Sequence, residues 1–486
     1  MLLQDVLKDM SCSGGIPEDM DIIDLAYDSR EAGVGIAFVC LKGAKADGHD
    51  FAKDAYGRGS RVFASEKPLD LPEDALVIIF DDTRAALAVM SDNFFRHPSK
   101  ELAVIGVTGT KGKTTVTHMI KAALDNCGFK AGLIGTVGAV FGDKKYPTVN
   151  TTPESYALQK LLRMMADDVC KAACIEVSSL GLKSHRVDKI DFTAGVFTNL
   201  SADHVGGGEH ESFEEYAFWK EQLFKQCALS IVNVDDENNG RIIKASLCPT
   251  VTFGVENEAD YTARNIEFVR TPGFLGVKFD CIHQAKSMSV KVSMPGLFTV
   301  YNTLAAIAVL ESLKLPEKDI RRAFENIAVN GRSEIVRVSS SYDIIIDYAH
   351  NGISFKNILE TLKMYHPKRL ICLYGCVGER AQVRRKEMGR ISGAMADLSI
   401  ITSDDPGFDD PAGICDEVAG YVEEAGGKAV KIPDRGEAIR YALSLIEAGD
   451  ILVLLGKGHE LYQKIKGEKV YFSERECIEE YFNEQR

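Results

Sequence analysis

One glycine-rich stretch, set between an apolar run and a helical pattern, carries residue types that bind phosphate. It reads Gly-Val-Thr-Gly-Thr-Lys-Gly-Lys-Thr-Thr over 106–115, after an apolar run at 102–105 and before a helical pattern that continues to Leu124. Backbone N–H groups of such a strand–turn–helix point at an anion, and the helix N-terminus adds its dipole. Lys113 is expected to reach the β- and γ-phosphates of a nucleotide, and the Thr114 hydroxyl to bind Mg²⁺. The stretch therefore predicts the use of ATP.

Polar residues also follow two other apolar runs, where buried parallel strands are expected to end. Glu176 closes one run and is a candidate Mg²⁺ ligand. After the run over 194–198, Asn199 and Asp203 are expected to orient loops or ligands, and His204 is a candidate ligand of a second metal. Taken alone, a solvated glutamate and a capping cluster explain these residue types better. Functional residues gather at the carboxyl ends of parallel strands, so the phosphate loop nearby favours the metal site.

The last third of the chain carries three polar clusters, each after an apolar run. They are Asp-Tyr-Ala-His at 347–350, Ser-Asp-Asp-Pro-Gly at 403–407 and Gly-Lys-Gly-His-Glu at 456–460. Turn chemistry accounts for any one of them. Because the carboxyl ends of parallel strands share one edge of a sheet, we expect the three clusters to converge on one cleft.

Length and pattern predict an α/β chain of three domains in series. We place these domains at residues 1–98, 99–330 and 331–486. Apolar strands alternate with helical patterns in the second and third domains, as in parallel sheets. A strand-rich insert runs from about 251 to 295, and a helix follows it through Leu313.

Composition fits a globular cytoplasmic enzyme. Of 486 residues, 45% are hydrophobic and 26% are charged, the formal net charge is −14, and lysine and arginine form no block. This balance disfavours nucleic acid and anionic membranes as partners. The N-terminus carries Asp5, Lys8 and Asp9, unlike a signal peptide, and no apolar run is long enough to span a bilayer. The 12 cysteines are scattered without a Cys-x-x-Cys pair, so we expect reduced thiols in the core.

The phosphate loop departs from the common nucleotide-hydrolase spacing in a way that indicates a family. The glycine expected five residues before Gly112 is Val107, and glycines stand at 106 and 109 instead. The pattern Thr-Gly-Thr-x-Gly-Lys-Thr resembles the loop of the ATP-dependent Mur ligases and of their folylpolyglutamate synthetase relatives. The resemblance to the Mur ligases covers almost the whole chain. It implies a three-domain α/β architecture with a central P-loop ATPase-like parallel sheet and a C-terminal Rossmann-like domain.

The resemblance also implies nucleotide, metal and catalytic residues. The implied catalytic group is Lys113, Lys220, Glu176, His204 and Arg332. The implied ATP contacts are Gly109, Thr110, Lys111, Gly112, Lys113, Thr114, Thr115, Asn302, Arg332, Asp347 and His350. The implied Mg²⁺ ligands are Thr114, Glu176 and His204. Lys220, which composition alone would leave as a surface lysine, matches a lysine that the family carbamylates to N6-carboxylysine, an anion able to position Mg²⁺.

The implied reaction is the addition of the third amino acid to UDP-N-acetylmuramoyl-L-alanyl-D-glutamate in peptidoglycan precursor synthesis, through an acyl phosphate. ATP and Mg²⁺ are the implied cofactors, and a monomer is expected. Family contacts with the sugar-peptide match a set of residues in the first two domains, some of them in Asp-Ser-Arg at 28–30 and Asn-Thr-Thr at 150–152. The set is Ser29, His49, Asn150, Thr151, Thr152, Ser178 and Arg186.

The choice of amino acid depends on residues 404–407. The branch that adds meso-diaminopimelate carries Asp-Asn-Pro-Arg there, and its arginine grips the distal carboxylate. This chain reads Asp-Asp-Pro-Gly, so an unpaired distal carboxylate would cost about 2–5 kcal/mol. We therefore expect L-lysine, whose distal ammonium suits acidic residues, and keep L-ornithine, or diaminopimelate with an arginine supplied elsewhere, as alternatives. The expected contacts are Arg385 or its neighbour Arg384 for the α-carboxylate, with Asp404, Asp405, Gly456 and Glu460.

The same residues distinguish three other interpretations from this one. A folylpolyglutamate-type ligase is expected to lack the segments at 28–30 and 150–152, and both are present. A Mur ligase for alanine, D-glutamate or a dipeptide is disfavoured by the cluster at 456–460 and by the N-terminal domain. A non-catalytic paralogue that binds UDP-muramoyl peptides is expected to have lost functional residues. The four that would signal such a loss are all retained, namely Lys113, Glu176, His204 and Lys220.

Overall fold

A computed structural model of the chain describes residues 1–11, 16–17, 19–43, 46–201, 209–379 and 382–485. Asp203 and the expected metal ligand His204 lie outside these described residues. The chain divides into two compact units. The first comprises Met1–Ala259 with Ala305–Lys314, and the second comprises Asp260–Leu304 with Leu315–Arg486.

The N-terminal part of the first unit is a small parallel α/β sheet. Its elements are α1 (Leu3–Val6), β1 (Asp24–Ala26), β2 (Ile36–Val39), α2 (Ala52–Gly57), β3 (Val62–Ser65), β4 (Leu76–Ile79) and α3 (Thr83–Phe94). The strands follow the order β1-β2-β3-β4. Helix α3 begins where Asp82 accepts hydrogen bonds from the backbone N–H groups of Arg84 and Ala85, which satisfies donors that the first turn leaves unpaired.

The central part of the first unit is a larger sheet with helices between its strands. Its elements are β5 (Ala103–Thr108), α4 (Lys113–Asn126), β6 (Ala131–Gly135), β7 (Gly138–Phe141), β8 (Lys144–Tyr146), α5 (Ser155–Asp167), β9 (Ala172–Glu176), α6 (Ser179–Lys183), β10 (Phe192–Phe197), α7 (Phe213–Glu221), β11 (Ser230–Asn233), α8 (Asn239–Ala245) and β12 (Thr250–Gly254). The order is β12-β11-β10-β5-β9-β6-β7-β8, parallel except for β7 and β8. The carboxyl ends of β9, β5 and β10 therefore lie side by side and place Glu176, the phosphate loop and Thr198 at one edge.

The second unit opens with an antiparallel sheet. Its strands are β13 (Tyr261–Thr271), β14 (Phe274–His283) and β15 (Lys286–Val292), and they pair in chain order. The helices α9 (Leu297–Ser312) and α10 (Glu317–Ala323) follow, and the division between the two units falls within α9. The strand-rich insert and the helix after it are thus confirmed.

The C-terminal part of the second unit is a doubly wound sheet. Its elements are β16 (Glu334–Val336), β17 (Asp343–Asp347), α11 (Gly352–Lys363), β18 (Leu370–Cys376), α12 (Gln382–Met395), β19 (Leu398–Ser403), α13 (Pro411–Glu424), β20 (Ala429–Lys431), α14 (Arg435–Leu445), β21 (Ile451–Leu455), β22 (Tyr462–Ile465), β23 (Glu468–Tyr471) and α15 (Glu474–Glu484). The order is β16-β17-β21-β18-β19-β20, in which β16 alone is antiparallel, and β22 and β23 form a separate hairpin. Every residue of β21 is buried, as expected of a central parallel strand covered on both faces.

The apolar patterns predict strands at 103–107, 173–177, 194–198 and 230–234 in the central sheet. In the C-terminal sheet they predict strands at 344–347, 370–374, 398–402 and 451–455. All of these strands are confirmed to within two residues at each end. The exact domain boundaries at 98 and 330 stay predictions. Every cysteine that the structure describes is a free thiol, and most are buried, as expected. In the described ranges, the helices are too short or too polar to traverse a bilayer.

Candidate active site

The phosphate loop connects β5 to α4 and requires glycine at its first position. Gly109 has φ 150°, and a Cβ there would lie 2.0 Å from the Thr198 hydroxyl oxygen. Because glycine has no side chain, the loop can pass close to the end of β10. Lys113 begins α4, and its Nζ donates to the carbonyl oxygens of Gly109 at 2.8 Å and Thr110 at 3.2 Å. The loop therefore positions the Lys113 amine against the loop's own carbonyl oxygens.

Residues at the end of β10 hold the loop in shape. The Asn199 carbonyl accepts the Thr110 N–H at 2.8 Å, and its side-chain oxygen accepts the Lys111 N–H at 2.9 Å. The Lys111 carbonyl in turn accepts from Asn199 Nδ2 at 3.0 Å and from Thr198 Oγ1 at 2.7 Å. The prediction that Asn199 orients a loop is confirmed. Thr115 lies in the first turn of α4, next to Thr114.

Glu176 and Thr114 meet at the carboxyl edge of the central sheet. Thr114 Oγ1 donates to Glu176 Oε2 at 2.8 Å, and the Glu176 side chain is buried. Thr136, just after β6, donates to the same carboxylate through its N–H at 3.0 Å and its hydroxyl at 3.1 Å. These oxygens are hard donors of the kind that Mg²⁺ prefers. His, Cys, Asp and Glu side chains in the described ranges do not by themselves form a three-residue metal group.

Lys220 is buried beside the phosphate loop. Its Nζ donates to the Gly109 carbonyl at 2.9 Å and lies 4.6 Å from the centre of the Tyr216 ring. Tyr216 Oη also contacts Thr110 Oγ1 at 3.1 Å. Burial and, to a smaller degree, the charge of Lys113 lower the pKa of Lys220 well below its ordinary value. This shift favours the neutral, nucleophilic form of the amine.

Three predicted sugar-peptide residues form one connected network. Thr152 Oγ1 donates to the Glu176 carbonyl at 2.7 Å and accepts the Ser178 N–H at 2.9 Å. Arg186 donates to the Thr152 carbonyl at 3.0 Å and pairs with Glu154 at 2.7 Å. Glu154 also pairs with Arg84 at 3.0 Å, which connects the N-terminal sheet to this network within the first unit. Thr151 Oγ1 lies 3.2 Å from Thr136 Oγ1, so the network continues to the Glu176 carboxylate.

The other predicted sugar-peptide residues lie apart from that network. Ser29 is buried in a short 3₁₀ turn that Asp28 caps. His49 is also buried; its Nδ1 lies 2.5 Å from Asp47 Oδ1 and its Nε2 accepts the Glu66 N–H at 3.1 Å. Both ring nitrogens of His49 are thus used inside the domain. Asn150 is exposed. The ligand roles of these residues stay predictions.

The acidic residues predicted to hold an ammonium group surround a lysine of the chain itself. Lys457 is fully buried, and its Nζ lies 2.8 Å from Asp405, 2.8 Å from Glu460 and 3.5 Å from Asp404. The centre of this acidic cluster is therefore occupied by an amine of the chain itself. Gly456 has φ 111°, and a Cβ there would lie 2.7 Å from Asp404 Oδ2, so only glycine lets the two strand ends approach.

Arg385 is also paired within the chain. Its guanidinium contacts Glu417 at 2.8 Å and Asp409 at 3.0 Å, and donates to the Val377 carbonyl at 3.1 Å. The neighbouring Arg384 is exposed and, within the described residues, has neither an ion-pair nor a hydrogen-bond partner. It lines a small cleft with His350, Gly375, Cys376, Val377, Met388 and Asp404. The expected convergence of the strand-end clusters on one cleft is confirmed for His350 and Asp404.

The remaining predicted nucleotide residues all lie in the second unit. Asp347 accepts from the Ser333 N–H at 2.7 Å and the Ala349 N–H at 2.8 Å, and burial raises its pKa against the opposing charge of Arg332. Arg332 stacks on the Tyr348 ring at 4.7 Å. His350 Nδ1 lies 2.8 Å from the Tyr348 carbonyl oxygen, and Asn302 is half-buried on α9. Their contacts with a nucleotide stay predictions.

Sequence reasoning missed several residues of this site. Thr136 meets Glu176, Tyr216 meets Thr110 and Glu154 meets two arginines only after folding, since these contacts join distant parts of the chain. Arg84 and Arg186 both pair with Glu154, but in the sequence only their positive charge indicates that they need an acidic partner. Lys457 lies inside a cluster that the sequence analysis singled out, but its partners come from two different strand ends.

Comparison with protein families assigns all three parts of the chain. Residues 22–104 match the domain described as Mur ligase family, catalytic domain. Residues 107–310 match the Mur ligase middle domain, and residues 331–458 match the Mur ligase, glutamate ligase domain.

Two full-length relatives are UDP-N-acetylmuramoyl-L-alanyl-D-glutamate--2,6-diaminopimelate ligases. The chain is 39% identical to that of Caldanaerobacter subterraneus subsp. tengcongensis over 99% of this chain and 98% of the relative. It is 39% identical to that of Clostridium botulinum over 100% of both chains. A solved structure with the same ligase name superposes with a TM-score of 0.76 at 27% identity, covering 100% of this chain and 99% of the other. The MurF ligase of Thermotoga maritima, solved in complex with ADP, shares the fold, with a TM-score of 0.62 at 17% identity over 96% of this chain and 99% of the other.

The names of these relatives correct the expected amino acid. They specify 2,6-diaminopimelate, so the expectation of L-lysine finds no support and the diaminopimelate alternative is favoured. The structure adds that the Lys457 amine occupies the place between Asp405 and Glu460 where a distal ammonium was expected. With all three domains matched and relatives aligned from end to end, the chain belongs to the Mur ligase family of ATP-dependent, amide-forming ligases of peptidoglycan synthesis.

Proposed function

We propose that this ligase adds 2,6-diaminopimelate to UDP-N-acetylmuramoyl-L-alanyl-D-glutamate, with ATP as the energy source. The amino acid is proposed from the names of relatives that align with the whole chain. The sequence regions 1–98, 99–330 and 331–486 are proposed as the UDP-sugar, ATP and amino-acid domains.

The observation that carries the proposal is the arrangement of two lysines on one loop carbonyl. Lys113 Nζ and Lys220 Nζ lie 2.8 and 2.9 Å from the Gly109 oxygen. The first is a phosphate-binding amine at a helix N-terminus. The second is a buried amine with a lowered pKa, which suits it to add carbon dioxide and become a carbamate with loss of a proton. A non-catalytic paralogue has no need for this chemistry.

Thr114 and Glu176 are proposed to hold Mg²⁺, and their hydroxyl and carboxylate oxygens fit that ion. His204 and a carbamylated Lys220 are proposed as further groups around it. When bound, Mg²⁺ supplies charge neutralisation at the nucleotide phosphates. Thr136 keeps the Glu176 carboxylate oriented, since it donates to both of its oxygens.

The proposed reaction proceeds in two displacements. The side-chain carboxylate of D-glutamate attacks the γ-phosphorus of ATP, which forms an acyl phosphate and releases ADP. The incoming amine then attacks the acyl carbon, loses a proton and expels inorganic phosphate. Lys113 neutralises charge at the phosphates, and Arg332 is proposed to do the same. The network of Thr152, Ser178 and Arg186 is proposed to orient the sugar-peptide.

Phosphate release tests the proposal. We expect release only when ATP, Mg²⁺, UDP-N-acetylmuramoyl-L-alanyl-D-glutamate and meso-diaminopimelate are all present. L-lysine and L-ornithine should each give a much lower kcat/KM. Release that exceeds background with lysine but not with diaminopimelate would overturn the choice of amino acid. Absence of release with all three, from protein that binds the UDP-sugar peptide, would favour the non-catalytic paralogue.

A further inference from the structure

We propose that Arg384 binds the distal carboxylate of the incoming diamino acid, and that Asp404 binds the ammonium on the same carbon. Arg384 thereby takes the place of the arginine that position 407 lacks. The inference deepens the proposed function and rests on it. It assigns specificity to an exposed arginine that is one residue away from the position first expected to bind substrate.

Position 407 itself does not accommodate a side chain that could bind the carboxylate. Gly407 has φ 60°, where residues with a side chain are strained, and a Cβ there would lie 3.0 Å from Glu379 Oε1. Glu379 is fixed in that place because its Oε1 accepts the Phe408 N–H at 3.2 Å and its own N–H donates to Asp409 at 2.9 Å. The space beside Gly407 therefore holds a carboxylate of the chain, which repels a carboxylate of a substrate.

Two other cations of this region are committed elsewhere. Arg385 is held between Asp409 and Glu417, and Lys457 lies among three carboxylates. Arg384 follows Val383 on the exposed side of α12 and has no ion-pair partner in the described ranges. A guanidinium of this kind can offer two parallel N–H donors to a carboxylate.

The acid in the cleft supplies the second half of the recognition. Asp404 is 6% exposed and lines the cleft. Its backbone carbonyl accepts from Gln463 Nε2 at 2.8 Å, but its side-chain carboxylate accepts no hydrogen bond from the described residues, and Lys457 Nζ lies 3.5 Å away. The cleft thus presents one carboxylate and one guanidinium, which complement an ammonium and a carboxylate on the same carbon. The other lining residues are Gly375, Cys376, Val377 and Met388, together with His350, whose ring adds a polar edge but no second carboxylate or guanidinium.

Of the two amino-acid heads of diaminopimelate, the non-reacting one fits this cleft. An amine held as ammonium by a buried carboxylate has no lone pair and does not attack an acyl phosphate. The reacting amine must therefore lie elsewhere, and the head in the cleft is the distal one. L-lysine and L-ornithine end in an ammonium without a carboxylate, so they leave Arg384 unmatched.

The experiment compares Arg384→Met and Arg384→Lys with Lys386→Met, which removes an exposed cation from the same helix. Phosphate release is measured with meso-diaminopimelate, and L-lysine is measured as a slow substrate or as a competitive inhibitor. We expect Arg384→Met to raise the KM for diaminopimelate roughly 10- to 100-fold. The KM or Ki for L-lysine should stay within about two-fold of the wild-type value. Arg384→Lys should recover part of the loss, and Lys386→Met should match the wild type.

The outcomes separate this inference from the proposed function. Equal losses with diaminopimelate and lysine would mean that Arg384 binds the common α-carboxylate, and would overturn the inference. No loss with either would overturn it as well. A wild-type protein that releases no phosphate with any diamino acid, or that uses lysine alone, would instead remove the proposed function on which the inference rests.

Discussion

The phosphate loop of the first unit and the amino-acid cleft of the second are both built at the carboxyl edge of a parallel sheet, but they hold their lysines differently. Lys113 and Lys220 donate to a backbone carbonyl, that of Gly109. Lys457 is enclosed by the carboxylates of Asp404, Asp405 and Glu460. Burial beside a carbonyl, with no carboxylate partner in the described ranges, lowers the pKa of Lys220, whereas carboxylates compensate the charge of Lys457. The first arrangement suits binding and chemistry, and the second stabilises the fold.

Replacing a lysine by methionine should lower activity at the phosphate loop and lower stability in the cluster around Lys457. The largest effect is expected at the phosphate loop. Lys113→Met should lower the rate of phosphate release roughly 10³- to 10⁴-fold, because it removes the amine that begins α4 and is expected to neutralise the phosphates. Its melting temperature should stay close to that of the wild type. Lys121→Met, which removes a partly buried lysine that pairs with Asp125 on the same helix, is the matched control for activity. A residual rate within ten-fold of the wild type would contradict this account.

The opposite result is expected in the second unit. Lys457→Met leaves carboxylates buried without a counter-charge and should destabilise the unit by about 3–5 kcal/mol. The loss of stability is measured by chemical denaturation and, separately, by hydrogen exchange of the β21 amides. Lys464→Met changes an exposed lysine of the nearby hairpin and should have almost no effect. If Lys457→Met keeps full stability and loses activity instead, the division between the two settings is wrong.

Lys220 sharpens the comparison because it is a buried amine without a carboxylate partner in the described ranges. Burial lowers its pKa well below the ordinary value, so the neutral amine should add carbon dioxide. Lys220→Arg cannot form this carbamate and should reduce turnover roughly 100-fold. Lys225→Arg, in the next turn, is the control. With ¹³C-bicarbonate, a carbamate resonance should appear in the wild type and be absent from Lys220→Arg; its absence from both would refute the modification.

The smallest effect is expected from His459, which lies in the second unit near the Tyr348 ring. Burial, aided by the charge of Arg332, lowers the pKa of His459 to about 4. Since the unfolded chain binds more protons between that value and the ordinary 6.5, stability should rise with pH across this window. This contribution to stability should be complete above about pH 6.5 and lost as pH falls toward about 4. Melting temperatures of wild type and His459→Gln should diverge with rising pH; a constant difference would contradict the assignment.

Sequence patterns predicted the phosphate region better than the cleft, for a physical reason. A phosphate loop works through backbone geometry, and backbone geometry follows from local features such as Gly109 and the strand before it. Glu176 was identified because it ends a strand next to that loop. Thr136 was missed because its contact with Glu176 depends on how β6 and β9 pair.

The cleft depends instead on which charges pair with which, and pairing is a tertiary property. The acidic residues at 404, 405 and 460 were read as a pocket for an ammonium, but Lys457 occupies their centre. Arg385 was chosen over Arg384 as the substrate ligand, and the helix α12 turns Arg385 toward Asp409 and Glu417. Adjacent positions on a helix point about 100° apart, so a one-residue change of register changes the role.

A competition assay tests the central claim most directly. The wild-type enzyme is given ATP, Mg²⁺, UDP-N-acetylmuramoyl-L-alanyl-D-glutamate and equal concentrations of meso-diaminopimelate, L-lysine and L-ornithine, and the nucleotide products are resolved by mass. The product ratio equals the ratio of kcat/KM values, so it reports the discrimination of the cleft itself. We predict that the diaminopimelate product dominates by at least about 100-fold. A product mixture dominated by lysine or ornithine would contradict the account of a cleft that reads both charges of a distal amino-acid head.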